Sequence, residues 1–431
     1  MEVKPGYKQT EVGVIPEDWD VRSLAEICSK ITDGTHDTPT PVRSGLPFLT
    51  AIHIKENFID YEACSFLTEE DHRIIFARCN PKRGDVLMVN IGAGVATTAL
   101  VDVDFEFSLK NVALLKPAAS RASGRYLNQC LIRRKSSITQ ALSSGGAQPF
   151  LSLSQIGQIG IPSPPLSEQH AIATALSDVD GLLGGLDRLI AKKRDLKQAA
   201  MQQLLIGQTR LPGFHAEWEV KRLGDLFNFS GGYSASRDQL STEGHCYLHY
   251  GDIHGSTKTC IDTDADFQDI PKLDIQLKRV SPVSLLDDGD VVFVDASEDD
   301  AGTSKHLVVV NKSKKPFISG LHTIVAKSKT DELAHNYRRY CFQTPAIRQQ
   351  FLYYSVGTKV SGISKSNIPK LTLSFPSVPQ QTAIASVLTE MDAELAVLMQ
   401  RRDKTRALKQ AMMQELLTGR IRLVASSGAT E

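Results

Sequence analysis

The stretch KQAAMQQLLIGQTRL runs from Lys197 to Leu211, and KQAMMQELLTGRIRL runs from Lys409 to Leu423. The correspondence continues upstream without a gap to Gln169 in the first copy and Gln381 in the second, an offset of 212 residues. A hydrophobic core can form without a copied sequence, so a long internal match indicates two copies of one structural unit. The repeat therefore predicts the architecture before any single motif does.

A second correspondence lies on the N-terminal side of each copy. The segment 19–24 (WDVRSL) matches 218–223 (WEVKRL), and 84–86 (GDV) matches 289–291 (GDV). The offset between the copies changes along the chain, which indicates insertions within a common scaffold. Each copy is thus a diverged globular part followed by a well-preserved helical segment.

The helical segments show apolar residues at a spacing of three and four, which is typical of one buried helix face. This stripe comprises Leu176, Val179, Leu183, Leu186 and Ile190 in the first copy and Leu388, Met391, Leu395 and Leu398 in the second. We predict an N-terminal cap at 167–169 and helix stops at Gly207 and Gly419. A long amphipathic helix needs a partner for its stripe, and the other copy can supply it.

The globular parts contain short β-branched runs such as 85–89 and 290–294, separated by Gly, Ser and Asp. These runs predict strands within α/β (α+β) domains. The predicted organisation is a first globular domain at 1–165, a central long helix at 166–208, a second globular domain at 209–377, a distal long helix at 378–423 and a flexible tail at 424–431.

The composition gives mixed indications about partners. Formal net charge is zero, with 49 basic and 49 acidic residues, whereas nucleic-acid binders usually carry a basic excess. Basic clusters nevertheless occur, and they are either solvated surface or part of a binding groove. They lie at 133–135, 192–194, 312–315 and 338–339.

The seven cysteines are scattered and form no Cys-x-x-Cys pair. This pattern favours reduced thiols and a cytoplasmic location, without a disulfide framework or a zinc site. No apolar run approaches the length of a membrane span, and the first residues lack the apolar centre of a signal peptide.

Catalytic motifs are not found in the sequence. It has no phosphate loop, no His-Glu-x-x-His and no Gly-x-Ser-x-Gly elbow. The segment 163–166 (SPPL) has the two prolines of an amino-methyltransferase tetrad but neither its polar nor its aromatic flank, so it is interpreted as the linker into the helix. We predict no catalytic residue and no metal site in this chain.

Polar, glycine-flanked loops recur at matching places in the two copies. Glycine permits close approach of a backbone, and Thr, Ser, Gln and Lys can bond phosphates or base edges. Each loop alone could be only a turn, but three paired loops favour DNA binding. The candidate residues are Thr32, Thr35, His36, Thr97, Thr98, Gly146 and Gln148 in the first copy and Tyr233, Ser234, Thr303, Ser304, Lys305, Thr358 and Lys359 in the second.

Three phrases together resemble the specificity subunit of type I restriction-modification enzymes. They are GVIPEDW at 13–19, PLSEQ at 165–169, and the paired endings quoted above. Each phrase is short, but their order and duplication extend over the whole chain.

The resemblance implies a non-catalytic subunit in which each globular domain is a target-recognition domain for one half of a bipartite double-stranded DNA site. The long helices would pair as an antiparallel coiled coil with pseudo-twofold symmetry and set the spacer. Two modification subunits and then restriction subunits would join, and S-adenosylmethionine, ATP and Mg would belong to those partners. The equivalent residues expected to meet the modification subunits are Lys197, Met201, Gln202, Lys409, Met413 and Gln414.

Two other interpretations stay open at this point. The chain could be a helical scaffold or adaptor that reads no DNA, or a single-chain DNA methyltransferase with unfamiliar motifs. Binding of S-adenosylmethionine by the isolated chain would indicate the methyltransferase, and indifference to DNA would indicate the scaffold.

Overall fold

A computed structural model describes residues 3–142, 149–297, 304–356 and 361–424. The chain forms two compact units. Unit 1 combines residues 1–187 with 400–431, and unit 2 is the continuous segment 188–399. Each unit therefore contains one globular part and half of each long helix.

The two long helices are α1 (Leu166–Leu204) and α2 (Val378–Leu416), each of 39 residues. Helix α1 starts one residue before the predicted cap, so Ser167 lies inside its first turn. Glu168 and Gln169 are buried and bond to distant parts of unit 1. The predicted cap was wrong because their partners are tertiary.

The helices run antiparallel, as the ion pairs within each unit demonstrate. In unit 1, Asp180 Oδ1 lies 2.7 Å from Lys409 Nζ, and Asp187 Oδ1 lies 3.8 Å from Arg402 NH1. One residue number rises as its partner's falls, which requires opposite directions.

Unit 2 repeats this arrangement with the helices exchanged. Asp392 of α2 lies 2.5 Å from Lys197 of α1, and Glu394 lies 2.6 Å from Lys193. Asp392 is the repeat counterpart of Asp180, and Lys197 is the counterpart of Lys409. The predicted antiparallel pairing is confirmed within each unit, and the internal repeat is confirmed by these equivalent ion pairs.

The same two carboxylates hold the globular parts. In unit 1, Asn57 Nδ2 and Gln129 Nε2 both donate to Asp180 Oδ2 at 3.0 Å. In unit 2, the Tyr340 hydroxyl donates to Asp392 Oδ2 at 2.8 Å. Each carboxylate thus links one long helix to the other and to the globular part of its unit.

The main sheet of unit 1 is four-stranded and antiparallel. Its strands are β1 (Cys28–Asp33), β2 (Val86–Val89), β3 (Thr98–Leu100) and β4 (Val112–Pro117). Their order is β3-β2-β4-β1. All four residues of β2 are buried, as expected for a run whose two faces pack against different hydrophobic clusters.

The main sheet of unit 2 has five strands, of which the last pair is parallel. They are β5 (Phe227–Gly231), β6 (Cys260–Asp262), β7 (Val291–Val294), β8 (His306–Val310) and β9 (Thr323–Ser328). Their order is β5-β9-β7-β8-β6. Strands β7, β8 and β9 correspond to β2, β3 and β4 of unit 1.

Smaller elements complete the units. The other strands are Tyr7–Thr10, Gly13–Pro16, Asp20–Ser23, Leu46–Leu49, Ile54–Lys55, Phe58–Ile59, Ser65–Leu67, Ser108–Leu109, Gly160–Ser163, Glu219–Arg222, Leu240–Ser241, His245–Leu248, Lys272–Leu273, Ala296–Ser297, Phe317–Ser319, Ser361–Gly362 and Thr372–Phe375. The other α-helices are Leu24–Ile27, Glu69–Cys79, Gly124–Leu142, Leu153–Gly157, Leu223–Leu226, Tyr250–His254, His335–Cys341 and Pro345–Tyr354.

The repeated endings are explained by the cores. Leu416 and Leu417 pack in the hydrophobic cluster of unit 1 with Trp19, while Leu204 and Leu205 pack in the corresponding cluster of unit 2. The end of α2 thus completes the core of unit 1, and the end of α1 completes the core of unit 2. The same leucines are needed twice because the same core is built twice.

Gly207 and Gly419 end the helical segments in the left-handed conformation, at φ 73° and 68°. A Cβ at Gly419 would lie 3.0 Å from the Trp19 ring, and one at Gly207 would lie 3.2 Å from the Trp218 ring. Glycine therefore suits each position for two reasons: it permits the positive φ, and it leaves room for the close approach of the indole. The predicted helix stops are confirmed.

Beyond Gly419, Arg422 connects the end of the chain to two distant segments of unit 1, the one with Asp18 and Trp19 and the start of α1. Its guanidinium bonds to Glu168 at 2.6 and 2.8 Å and to Asp18 at 3.0 and 2.9 Å, and it lies over the Trp19 ring. Trp19 Nε1 also donates to Glu168 at 3.3 Å. These carboxylates raise the pKa of Arg422 and so favour its charged form.

Unit 2 keeps the positions but not the charge. Gln380 replaces the glutamate and is 1% exposed, and neither of its amide atoms has a hydrogen-bond partner among the described residues. Trp218 Nε1 is also buried without a partner in that part of the chain. Arg210 lies over the Trp218 ring but bonds instead to the Ala216 carbonyl at 2.6 Å.

His306, at the start of β8, is a buried histidine in the core of unit 2. Its ring packs against Phe293 and Phe342 at centroid distances of 5.5 and 5.2 Å. Burial lowers the pKa of this imidazole to about 4. The folded unit therefore holds His306 neutral where an exposed histidine would be charged.

All seven cysteines are free, and six of them are buried. Burial raises the pKa of Cys28 to about 12, which keeps this thiol protonated. Throughout the described ranges, no helix combines the length and apolar character required to cross a membrane.

We predict that Glu168→Gln, which copies Gln380 into unit 1, lowers the stability of that unit by about 2 kcal/mol, because charge-assisted hydrogen bonds are lost from a buried site. Urea unfolding followed by fluorescence measures this in a Trp218→Phe background, where Trp19 is the only indole. The converse variant, Gln380→Glu with Trp19→Phe, should destabilise unit 2, because Arg210 bonds to the Ala216 carbonyl and the new carboxylate would be buried without a partner. Unchanged midpoints in both would contradict the assigned role of the carboxylate.

A second prediction concerns acid. A histidine in the unfolded chain titrates near pH 6.5. Between about pH 6.5 and 4 the imidazole of His306 is therefore protonated in the unfolded chain but neutral in the folded unit. The stability of unit 2 should fall across this window as pH decreases, by at most about 3 kcal/mol. His306→Gln should flatten this part of the profile in urea unfolding at a series of pH values. The same slope in the variant and the parent would refute the assignment.

Candidate nucleic-acid interface

The predicted loops of unit 1 meet at one edge of its main sheet. The end of β1 pairs with the start of β4, which also pairs with the end of β2, and the start of β3 lies beside the end of β2. This edge is called the loop edge of unit 1. It carries the first two predicted loops of the first copy.

Unit 2 has the same edge. The end of β5 and the start of β9 pair there, followed by the end of β7 and the start of β8. Gly34 in unit 1 and Gly232 in unit 2 occupy matching places, with their N–H groups donating to the carbonyls of Val112 and Thr323 at 3.2 and 3.3 Å. A Cβ at either glycine would collide with a neighbouring backbone carbonyl.

The flanks of the third loop join each edge. In unit 1, Leu151 N donates to the Asn90 carbonyl just beyond β2. In unit 2, Ile363 N donates to the Asp295 carbonyl just beyond β7, and the strands Ala296–Ser297 and Ser361–Gly362 pair. The described residues of three loops that are distant in sequence therefore converge in each unit.

The predicted residues of the first loop differ in accessibility. Thr32 lies within β1 and is partly buried, whereas Thr35 is buried and its Oγ1 accepts from Asp37 N. His36 is exposed, with Nδ1 2.8 Å from Asn111 Oδ1 and Nε2 3.2 Å from Asp33 Oδ2. Of these three, His36 is the one that is exposed.

Thr97 and Thr98 do not fit their predicted role. Both are buried, and Thr98 is 1% exposed within β3. The Thr-Thr pair suggested a surface loop, but it enters a strand whose side chains pack inside the unit. Neither residue is retained in the proposed interface.

In unit 2, Ser234 is exposed and Tyr233 is partly buried, with its carbonyl accepting from the Tyr247 hydroxyl. Ser304 and Lys305 lie immediately before β8, and Lys305 Nζ donates to the His254 carbonyl. The remaining predicted residues, Gly146, Gln148, Thr303, Thr358 and Lys359, lie outside the described residues.

Two edge residues escaped prediction: Asn111 in unit 1 and His322 in unit 2. Each immediately precedes a central strand, β4 or β9, and each has a positive φ, 52° and 56°. His322 Nδ1 lies 3.3 Å from Asp295 Oδ1. A polar residue before a β-branched run was the available sequence signal, but such residues are common in turns.

The electrostatics of the unit 2 edge are set by burial and close charges. Burial raises the pKa of Asp295, while nearby His322 opposes that shift. Burial and Arg237 lower the pKa of His249, so this imidazole favours its neutral form. Arg237 also pairs with Asp252 at 2.8 Å.

The residues predicted to meet partner subunits lie on the helix pair. Lys197 and Lys409 are engaged in the ion pairs with Asp392 and Asp180, and Met413 is buried in the unit 1 core. Met201 is partly buried, whereas Gln202 and Gln414 are exposed. Partner contact stays a prediction, and the two glutamines are its accessible members.

Comparison with known proteins agrees with this organisation. A family model described as the type I restriction modification DNA specificity domain matches residues 16–190 and 215–405. The chain is 24% identical to the type I restriction enzyme MjaX specificity subunit of Methanocaldococcus jannaschii, over 97% of each protein. It is 21% identical to the MjaIX specificity subunit of that organism, over 97% of this chain and 96% of the relative.

Solved structures share the fold. The crystal structure of the type I restriction-modification S subunit from M. genitalium superposes with a TM-score of 0.59 at 13% identity, covering 96% of this chain and 98% of that one. A chain from a study of complex assembly and conformational transition in a type I R-M system superposes at 0.54 with 16% identity, covering 94% and 99%.

The two matched segments span most of the sequence, one in each copy of the repeat. This result decides between the interpretations left open above, in favour of a DNA-recognition subunit with a non-catalytic role. The chain belongs to the type I restriction-modification DNA specificity family and is a specificity subunit with two recognition domains.

Proposed function

We propose that each unit reads one half of a bipartite double-stranded DNA site through its loop edge. The observation that carries this proposal is the convergence of the described residues of three separate loops at matching edges of two homologous sheets. The edges share their backbone arrangement but differ in side chains, which suits two different half-sites. Specificity comes from side chains at base edges, while phosphate contacts position the protein.

The helix pair sets the spacer between the half-sites. Ion pairs in each unit fix the register of α1 against α2, and a stiff helical pair transmits a distance that a flexible linker would not. Helix length and spacer length are therefore coupled in this proposal.

Two modification subunits dock on the repeated helix surface. S-adenosylmethionine belongs to those subunits, and ATP and Mg belong to restriction subunits that join them. We propose that the assembly acts on DNA in the cytoplasm. Support for the docking surface comes from exposed residues that are identical in the two copies: Arg194 and Arg406, Leu196 and Leu408, Gln198 and Gln410, and Gln202 and Gln414.

Mapping of methylated sites in cells carrying the complete system tests the proposal. The expected result is one motif with two fixed halves and an unspecified spacer. Failure to find any bipartite motif that depends on this chain would refute the function.

The spacer has its own prediction. Insertion of four residues after Leu186 and four after Leu398 adds about one turn to both helices while keeping the flanking ion pairs in register. The mapped spacer should lengthen by about one to two base pairs, since four residues add about 6 Å and DNA rises about 3.4 Å per step. Both half-site sequences should remain unchanged.

A matched control inserts the same four residues after Pro212, which is exposed and outside both helices. This control should keep the parental spacer. The coupling of helix and spacer length is wrong if the double insertion also keeps it.

The docking surface predicts a change of stoichiometry. Leu196 and Leu408 are 48% and 55% exposed at equivalent positions. Leu196→Glu or Leu408→Glu should each leave one modification subunit bound in place of two, because a charge is buried at one interface. Native mass spectrometry of the purified complex counts the subunits.

Val397→Glu is the control for this experiment. Val397 is also an exposed apolar residue of α2, but its counterpart in the first copy is Gly185. The variant should retain two modification subunits. Full stoichiometry in both leucine variants would exclude this surface as the docking site.

A further inference from the structure

Asn111 and His322 are equivalent residues whose backbone conformation is costly. Each adopts the left-handed conformation at the turn into the central strand of its unit. Glycine takes this conformation without steric cost, whereas a residue with a Cβ does so less readily, even though Asn and His tolerate it better than most. Both units therefore keep a polar side chain where the backbone alone favours glycine.

The side chain of Asn111 is held from one side. Its Oδ1 faces His36 Nδ1 at 2.8 Å, and His36 is in turn held by Asp33, whose carboxylate also pairs with Arg78 at 2.8 Å. Among the described residues, the Asn111 Nδ2 group has no hydrogen-bond partner. The amide is fixed in orientation, and its two N–H donors remain available.

His322 is held in a comparable way. Its Nδ1 faces the Asp295 carboxylate, its ring packs edge-on against Tyr250 at 5.5 Å, and its carbonyl accepts from Asp295 N at 3.2 Å. The side chain is nevertheless 51% exposed. Within the described part of unit 2, Nε2 is the ring nitrogen without a protein partner.

These arrangements differ in composition but have one physical effect. Each neighbour, His36 or Asp295, engages one polar atom of the edge residue and leaves the other for a ligand. A side chain that is already oriented loses less conformational entropy on binding. Backbone strain retained at matching places in two diverged units is typical of functional positions.

We propose that Asn111 and His322 are specificity-determining residues, each reading a base in one half of the DNA site. This inference rests on the proposed function and adds the residues that discriminate bases. The Asn111 amide donates to major-groove acceptors such as guanine O6 and N7, adenine N7 or thymine O4. His322 Nε2 accepts from the amino group of adenine or cytosine, or donates to guanine when the ring carries both protons.

The competing explanation is that Asn111 and His322 only form turns. Glycine variants separate the two explanations, because Asn111→Gly and His322→Gly remove the side chain while suiting the left-handed backbone. A turn-forming role predicts that these variants behave as the parent or are slightly more stable. A base-reading role predicts lost discrimination with the fold intact.

Matched controls exist in both units. Asn80 and Lys314 also adopt the left-handed conformation, at φ 45° and 55°. Asn80 ends the helix Glu69–Cys79 ahead of β2, and Lys314 follows β8, so both lie away from the loop edges. Asn80→Gly and Lys314→Gly repeat the backbone change without removing a proposed base contact.

The experiment maps methylated sites in cells that carry each variant with its own modification subunits. Asn111→Gly should make one base position degenerate in one half-site, while the other half and the spacer stay parental. His322→Gly should do the same in the other half-site. Both control variants should give the parental motif.

Binding of the purified complex to duplexes substituted at single positions supplies a second measurement. The parent should lose roughly five- to hundredfold in affinity for a wrong base at the affected position, and the glycine variant should lose that discrimination. A parental motif in both variants, or a uniform loss of affinity with discrimination intact at every position, would overturn the inference. A parent without a bipartite motif would instead refute the proposed function.

Discussion

One carboxylate on a long helix holds each unit together. Asp180 in unit 1 and Asp392 in unit 2 each form an ion pair with a lysine of the opposite helix. Each also accepts a hydrogen bond from the globular part of its unit. Both ion pairs are largely shielded from water, so loss of one partner would leave a poorly solvated charge. Helix register and domain position therefore depend on the same carboxylate in each unit, one oxygen serving the lysine and the other the globular part.

This dependence explains which parts of the repeat stayed alike. A substitution in the copied helical segments alters the core, the ion pairs or the stop at glycine. A substitution at a loop edge alters a side chain that lies among turns, so it leaves the cores and the ion pairs between the helices intact. The copied helical segments are thus constrained in both units by the same core contacts, ion pairs and terminal glycine. The side chains at the loop edges are not constrained in this way, so they can diverge toward different ligands.

Local signals predicted the helices well. The apolar spacing and the terminal glycines are properties of neighbouring residues, so the two helices and their pairing followed from sequence. The cap failed because Glu168 looks like a surface residue of a first turn, yet its partners Trp19 and Arg422 lie 149 and 254 residues away. A buried polar residue with remote partners has no local signature.

The candidate interface was predicted in outline for the same reason. Glycine-rich loops mark close approach, and the structure brings their described residues together at each edge. Thr98 failed because a polar pair can begin a buried strand. Asn111 and His322 escaped because their role depends on a positive φ and on neighbours such as His36, which lies 75 residues away in sequence.

The asymmetry between Glu168 and Gln380 follows from how each unit is closed. In unit 2, Arg210 bonds to a carbonyl only six residues ahead, so the chain itself holds the helix ending near Trp218. In unit 1, Arg422 and Asp18 are 404 residues apart. Charge-assisted hydrogen bonds contribute about 1.5–3 kcal/mol each, so those from Arg422 to Glu168 and Asp18 stabilise the junction of these remote segments. The ion cluster therefore occurs in the unit assembled from separate segments, and the continuous unit tolerates a glutamine at the same place.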